Sequence, residues 1–549
     1  MLKEGISRCM IYKILILLIL PSILFAQDVR PNIVVVLSDD HRADYLGVAG
    51  HPILKTPNID RLANEGIYFQ NAFVTTAACT PNRTCILTGQ YERKHGVTFG
   101  SQSSLTEEAF LETYPMLLRK SGYFVGYIGK NHTPIGLSKS VEEIEAEHIA
   151  KHYIEIGDYA KSSGVMERNF DYWYGNHGHT RFYPKRPHPI YTNAKADTQI
   201  EILEEGMKNF FKQNESFSQG QVSLRSRPKD QPFCLLVNFN LPHGAGTSSM
   251  QSRNSDPDLY KTAYRDSMSS MALPESYIAK DKIVRPKIPK TAYSGKYIAT
   301  YNYVQTPPDL RQRMVRTCQA IEGIDNFVGS LIHELKQQGV YDNTIILFTS
   351  DHGLQFGEHG LGGKVLLYED SIRVPFIIFD PRSQGLKKQQ IIKQMALSID
   401  TAPTLLSLAG IQVPKEMQGR DLRKLINGKE AAWRQDFFCE NMFMGQNYPR
   451  MEAVRNERFK YIRYFSKKKD RHHIKVLQAS IKGEEPIYEE LYDLQNDPQE
   501  LDNLVNFKKH HDILDTMRQR CQELVLEAKG SDEYPKTHVL NDPRLLSKN

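Results

Sequence analysis

Asn32-Ile33-Val34-Val35-Val36-Leu37-Ser38-Asp39-Asp40 is an unbroken run of aliphatic residues that ends in two carboxylates. A half-buried strand alternates apolar and polar side chains. A run without alternation reads as a strand buried on both faces. Three further stretches repeat it: Phe233-Cys234-Leu235-Leu236-Val237-Asn238-Phe239, Thr344-Ile345-Ile346-Leu347-Phe348-Thr349 and Val374-Pro375-Phe376-Ile377-Ile378-Phe379. Helical periodicity lies between them at 57–65, 105–121, 196–213, 309–338 and 400–409. Buried strands alternating with amphipathic helices predict an α/β domain built on a large, mixed but mostly parallel sheet flanked by helices. Its expected span is residues 27–425. From 426 to 549 the pattern changes to short strand-like runs (Phe437-Phe438-Cys439, Phe459-Lys460-Tyr461-Ile462-Arg463, Glu490-Leu491-Tyr492-Asp493) followed by a helix at 507–528, which predicts a small antiparallel sheet plus helix. The regions 140–190 and 213–310 read as long irregular loops, and such loops are usually functional or linking. The basic stretch 467–473 reads as a solvated loop.

Apolar residues make up 40% of the 549, enough for a sizeable core, and the net charge is only +6. Acidic and basic residues nearly balance, which gives no support to nucleic-acid binding, although a locally basic cleft is compatible with it. Lys3, Arg8 and Lys13 precede a short apolar run, Ile14 to Leu20, interrupted by Pro21 and ending near Ala26. A basic flank, a short apolar core and a small residue at the end describe a secretory signal peptide over 1–26. The expected location is therefore periplasmic, extracellular or at the cell surface, with the membrane met only during export. An uncleaved anchor is the alternative, since Leu24 fits the cleavage pattern poorly. Of seven cysteines, Cys9 lies in the signal, and the other six are scattered without Cys-x-x-Cys spacing. That argues against a zinc ribbon or redox centre and leaves room for a bridge or two.

Two buried strands end in carboxylates, Asp39-Asp40 and Asp351-His352. In open α/β sheets ligands bind beyond the C-terminal ends of the strands. Adjacent carboxylates repel, and a shared cation is the usual remedy. A third feature is Cys79-Thr80-Pro81-Asn82-Arg83-Thr84-Cys85-Ile86-Leu87-Thr88-Gly89. Proline suits the first helical position, which places Cys79 at or just before a helix N-terminus, where N–H groups and the dipole favour an anion. Arg83, one turn on, can aim its guanidinium at the same spot. Alone, the motif is an ordinary helix start with a buried thiol. Beside two carboxylate-ending strands it reads as a nucleophile over a tetrahedral oxyanion.

Together these features resemble the type I, formylglycine-dependent sulfatases of the alkaline-phosphatase-like superfamily, whose signature is Cys-x-Pro-x-Arg followed by Thr-Gly. The resemblance runs over nearly the whole mature chain. It includes Thr56-Pro57-Asn58-Ile59-Asp60-Arg61-Leu62-Ala63, Gly129-Lys130-Asn131-His132, Leu241-Pro242-His243, Ser350-Asp351-His352-Gly353 with Lys364, Val374-Pro375, and Leu491-Tyr492-Asp493-Leu494 before Asp497-Pro498. It implies that Cys79 is oxidised to formylglycine (3-oxoalanine) by a formylglycine-generating or anaerobic maturation enzyme. It also implies that Asp39, Asp40, Asp351 and His352, with residue 79, hold a divalent cation. An oxygen-rich set favours calcium or magnesium, the imidazole leaves a transition metal more open, and calcium is the expectation. By the same resemblance a hydroxyl of the aldehyde hydrate attacks sulfur, and Arg83, Lys130 and Lys364 spread positive charge over the sulfuryl oxygens. His243 or His132 then protonates the leaving alcohol, or Lys364 stabilises the bridging oxygen. Two departures stand out: His352 where most members have Asn, and Ala245 where a second proline often follows Pro-His.

Taken singly, Lys130 and Lys364 would be surface lysines, and His132 and His243 loop histidines. Glu358 and His359 read as structural, and Cys85 as core. Trp173, Asn176, His177, His179, Arg181 and Arg253 are candidate sugar contacts in the irregular regions, equally readable as loop packing. The expected activity is hydrolysis of a sulfate ester on a carbohydrate. The alternatives are a phosphodiester or phosphonate monoester hydrolase of the same superfamily, or a catalytically silent glycan-binding relative.

Overall fold

The structure, a computed structural model, describes residues 30–99, 103–136, 164–212, 216–219, 222–225, 227–283, 287–289, 304–382, 390–428, 432–442, 448–465, 480–530 and 537–539. The segment 1–26 expected to be a signal peptide and the basic stretch 467–473 lie outside them. The main sheet has eight strands: β1 Asn32–Ser38, β2 Ile67–Phe69, β3 Phe124–Asn131, β4 Tyr172–His177, β5 Phe233–Asn238, β6 Thr344–Ser350, β7 Phe376–Phe379 and β8 Gln390–Ile392. Their spatial order is β8-β2-β7-β6-β1-β5-β3-β4. Strand β7 pairs antiparallel with β6 and β2, and every other neighbouring pair in this sheet is parallel.

Strand β1 shows why its sequence lacks alternation. Val34 and Val36 face a core shared with α1 Pro57–Glu65, α3 Gln199–Phe211 and α4 Pro307–Gln337. Ile33 and Val35 face the opposite core, which includes α2 Cys79–Thr88 and α5 Thr401–Leu408. Neither face meets water, so neither carries polar side chains.

Three expectations are corrected. The helix foreseen over 105–121 is a strand at Ser103–Thr106 and two helices, Glu107–Leu111 and Tyr114–Lys120. Thr106 caps the first helix by accepting from the Ala109 N–H at 3.1 Å. Pro115 cannot continue a helix interior and so starts the second. The region 140–190 is not all loop, because Tyr172–His177 forms β4 on the sheet edge. The run at 374–379 joins the sheet only from Phe376, since Pro375 has no N–H to give to a ladder.

The C-terminal sheet has strands β9 Asp436–Asn441, β10 Arg450–Asn456, β11 Phe459–Phe465 and β12 Tyr488–Asp493, antiparallel in that order. Strand β10 had no clear signal in the sequence. Phe438, Val454, Tyr461 and Leu491 pack against α6 His511–Lys529, whereas Phe437, Cys439, Ala453 and Ile462 join the main core. The small sheet therefore shares its inner face with the catalytic layer. Arg93 locks the two together: its backbone N–H and Nε donate to Glu440 at 2.9 and 3.0 Å, and Nη2 donates to Glu452 at 2.6 Å, all buried. Arg93→Met leaves two buried carboxylates short of a cation. It should cost about 3–5 kcal/mol, read as a lower denaturant midpoint; an unchanged midpoint would contradict the lock.

Candidate active site

Strand register assembles the site. Gly129 of β3 pairs with Asn238 of β5, Leu37 of β1 pairs with the same Asn238, and Ser38 pairs with Ser350 of β6. The next residues along, Lys130, Phe239, Asp39 and Asp351, thus emerge along one edge, at the C-terminal ends of four adjacent parallel strands. Two glycines permit this closeness. Gly129 has φ +87°, and a Cβ there would lie 2.1 Å from the Asn238 carbonyl oxygen. A Cβ on Gly353 would lie 2.0 Å from the carbonyl oxygen of Asp370.

Helix α2 starts at Cys79 itself, with Ala78 as the extended cap, so Pro81 is the third helical residue and not the first. Asn82 donates its N–H to the Ala78 carbonyl at 3.0 Å. Since Pro81 has no N–H, only Cys79 and Thr80 present N–H groups beyond the helix's own ladder in this first turn. The Cys79 side chain is fully buried. Its sulfur lies 2.7 Å from Lys364 Nζ, 3.2 Å from His352 Nε2 and 3.6 Å from Asp39 Oδ1.

Charges alternate around this atom. Lys130 Nζ is paired with Asp39. Lys364 Nζ lies 2.9 Å from Asp40 Oδ1, and Arg83 Nε donates to Asp351 Oδ2 at 2.7 Å. Burial alone would raise the Asp39 pKa, but the charges of Lys130, Lys364 and Arg83 hold it well below the usual carboxylate range. Burial likewise opposes the charge on Lys364, yet Asp40, Cys79 and Asp39 keep its pKa well above the usual lysine value. For His352 burial again opposes protonation, and Asp351 and Cys79 prevail, raising it to about 9. A cluster that charges a buried imidazole is one with an excess of anionic donors.

Arg83 is held on several sides. Nε binds Asp351, Nη1 faces the Lys130 carbonyl at 3.3 Å and Asn238 Oδ1 at 3.4 Å, and Nη2 faces the Phe239 carbonyl at 3.2 Å and Asp39 at 3.6 Å. A guanidinium has five N–H bonds; four contacts here are hydrogen bonds, and Nη2 also faces Asp39 at ion-pair distance. These contacts tie Arg83 to the ends of three strands.

The three imidazoles lie together. His243 and His132 are partly buried, and His179 packs its ring 4.4 Å from His243 and 4.5 Å from His132. The Ala245 N–H donates to His243 Nδ1 at 3.1 Å. In the neutral ring the proton then sits on Nε2, which lies 3.9 Å from Asp40 Oδ2. Burial and Lys364 push the His243 pKa well below the usual value, and burial and Lys130 do the same for His132, so both are neutral N–H donors near pH 7.

The other sugar candidates divide. Trp173, Asn176 and His177 are buried in β4 and not on a loop. Asn176 accepts from the Tyr191 hydroxyl at 2.9 Å, and His177 bridges Asn131 at 2.8 Å and Glu167 at 2.6 Å. Those bonds brace the strand end that carries Lys130. Arg181 and Arg253 are exposed, with the Arg253 guanidinium 3.6 Å from the centre of the Tyr183 ring. Glu358 is paired with Arg42 at 2.5 Å, and Cys85 sits in the core, as its reading had it. Asn82 was missed. Its amide donates to the Asp351 carbonyl and its Oδ1 accepts from Ser398 Oγ at 2.7 Å. Its spacing of three from Cys79, on the same helix face, was the available signal.

The sulfatase family model matches residues 31–411, and the model described as N-sulphoglucosamine sulphohydrolase, C-terminal, matches 357–527. The chain belongs to the sulfatase family. It is a sulfuric ester hydrolase with an alkaline-phosphatase-like fold. Among similar proteins, an arylsulfatase of Clostridium perfringens is 28% identical, over 92% of this chain and 95% of its own. An N-acetylglucosamine-6-O-sulfatase of Bacteroides thetaiotaomicron is 26% identical, over 94% and 90%. A solved structure in complex with its substrate D-glucosamine-2-N,6-O-disulfate has the same fold, with a TM-score of 0.61, 22% identity and coverage of 92% and 99%.

Family membership implies a formylglycine and a divalent cation. The residues of this sulfatase fit both. Ligand atoms of Asp39, Cys79, Asp351 and His352 lie within 4.8 Å of one another, as do those of Asp39, Asp40, Cys79 and His243. His352 Nδ1 lies 2.9 Å from the Gly353 carbonyl. In the neutral ring, which a bound cation would require, donation there leaves the Nε2 lone pair facing the cluster, the usual arrangement for a metal-ligating histidine.

Proposed function

We propose that this sulfatase is exported and removes sulfate from a sulfated carbohydrate outside the cytoplasm, with residue 79 matured to formylglycine. The observation that carries the reading is the buried Cys79 sulfur, with Lys364 at 2.7 Å and the carboxylates of Asp39, Asp40 and Asp351 around it. The carbohydrate class rests on the amino-sugar sulfatase among the relatives, and export on the N-terminal signal pattern.

Asp39, Asp40, Asp351, His352 and residue 79 would hold the cation, which we take to be calcium because the set is mainly oxygen. When bound, it supplies Lewis-acid charge neutralisation, and the matured side chain at 79 supplies the attacking oxygen. The chain's own groups do the rest. Lys130 and Lys364 bring two ammonium groups to a site that excludes water, where charge stabilisation is strong. Arg83 and Asn82 hold Asp351 and the end of β3 in register. His243 offers its Nε2–H to the departing alcohol oxygen, and the Ala245 N–H keeps the proton on that nitrogen.

The test uses protein matured in a host that carries the maturation system. Sulfate release is expected from D-glucosamine 6-sulfate, and the sulfate ester of an aryl alcohol should turn over faster than its phosphate ester. Chelator should remove the activity and calcium restore it. Faster phosphate-ester turnover, or an unmodified thiol in an active peptide spanning residue 79, would sink the proposal.

A further inference from the structure

His179 matches none of the sulfatase motifs in this chain, yet its backbone is anchored on both sides to the two histidine-bearing segments. The Gly178 N–H donates to the Asn131 carbonyl at 2.7 Å, one residue before His132. On the other side, the Thr180 N–H donates to Asn240 Oδ1 at 3.3 Å, and Asn240 Nδ2 returns a bond to the Thr180 carbonyl at 2.9 Å, three residues before His243. The ring between these anchors lies at 70° to His132 and at 30° to His243. One of its nitrogens, one of His243 and the Cys79 sulfur lie within 4.8 Å of each other. Cys79 is fully buried whereas His179 is exposed, so His179 stands on the solvent side of the reacting atom.

We propose that His179 is a substrate-contacting residue on the alcohol side of the sulfate ester: it hydrogen-bonds the departing alcohol and turns its oxygen toward the His243 Nε2–H. This deepens the sulfate-ester reading and rests on it. The tilted packing on His243, ring centres 4.4 Å apart, suits that role, since it restrains the plane in which Nε2 points. A neutral imidazole at this position can donate or accept a hydrogen bond without adding charge.

The consequence is selective for the leaving group. A phenol as acidic as 4-nitrophenol departs with little help, whereas a weakly acidic alcohol needs a well-aligned hydrogen bond to the charge that builds on its oxygen. The experiment measures kcat/KM for a series of aryl sulfates of graded phenol acidity, in wild type, His179→Ala and His179→Gln. In His179→Ala the loss should be about 100-fold for the least acidic phenol and under about threefold for 4-nitrophenyl sulfate, giving a steeper dependence on phenol acidity. His179→Gln, which keeps a hydrogen bond, should recover part of the loss, and melting temperatures should stay together. Equal loss across the series, or none, would overturn the assignment. A wild type that cleaves no sulfate ester would instead overturn the underlying reading, so the two failures are separable.

Discussion

Cys79→Ala protein should release no measurable sulfate, a fall of at least about 10⁴-fold in kcat, while its fold survives. The reason is positional. The side chain at 79 contacts Lys364, His352 and Asp39 at once, and no other cysteine among the described residues belongs to that cluster. Cys85, one and a half helical turns on, cannot substitute. It lies in the core, its sulfur 3.6 Å from Thr75 Oγ1 and 3.3 Å from His95 Nε2, and burial pushes its pKa well above the usual thiol value. Alanine at 79 removes a small buried side chain and leaves Lys364 its 2.9 Å pair with Asp40, so stability should change by only about 1 kcal/mol. Sulfate assays beside a thermal melt separate the two effects. Activity surviving in a homogeneous Cys79→Ala preparation would remove residue 79 from the chemistry.

The second large effect falls on Asp351. Asp351→Ala should lower both activity and stability, because one carboxylate has two jobs. It belongs to the donor cluster with Asp39, Cys79 and His352, and it is the 2.7 Å partner of the buried Arg83. Removing it leaves a guanidinium 3.6 Å from its nearest remaining carboxylate, Asp39. Breaking a buried pair from one side costs about 3–5 kcal/mol. The backbone also loses the bond from the Asp40 N–H to Asp351 Oδ1 at 3.3 Å, on a residue held at φ +63°. Activity should fall at least about 10³-fold, with less bound calcium per chain by atomic emission and a lower denaturant midpoint. Asp351→Asn, which keeps the volume and one acceptor, should recover much of the stability but little of the metal. Wild-type calcium content in both variants would exclude Asp351 as a ligand.

Much of the fold was readable because burial on both faces leaves a mark in one dimension. The runs at 32–37, 233–239 and 344–349 became β1, β5 and β6. The helices foreseen at 57–65 and 309–338 became Pro57–Glu65 and Pro307–Gln337, where Thr306 and two prolines start the longer one. Strand β4 was hidden because Tyr172–His177 mixes aromatic, amide and imidazole groups with Gly175, a composition that reads as loop. Its polar side chains are satisfied by Tyr191, Asn131 and Glu167, partners that no local pattern can announce.

The site divides along the same line. The sequence alone determined which residue types stand at two strand ends and at the helix start: Asp39-Asp40, Asp351-His352 and Cys79 with Arg83; the strand that carries Lys130, Phe124–Asn131, was not among the runs it announced. Those are local facts, set by chain position and by period. Tertiary structure alone decided that β3, β5, β1 and β6 are neighbours in a register that brings Lys130, Asp39 and Asp351 to one edge. It also decided that Arg83 makes four hydrogen bonds to acceptors at the strand ends, and that His179 lies between His132 and His243. Periodicity reports how deeply a residue is buried. Which donor meets which acceptor across hundreds of residues depends on strand order and packing, and those exist only once the chain has closed on itself.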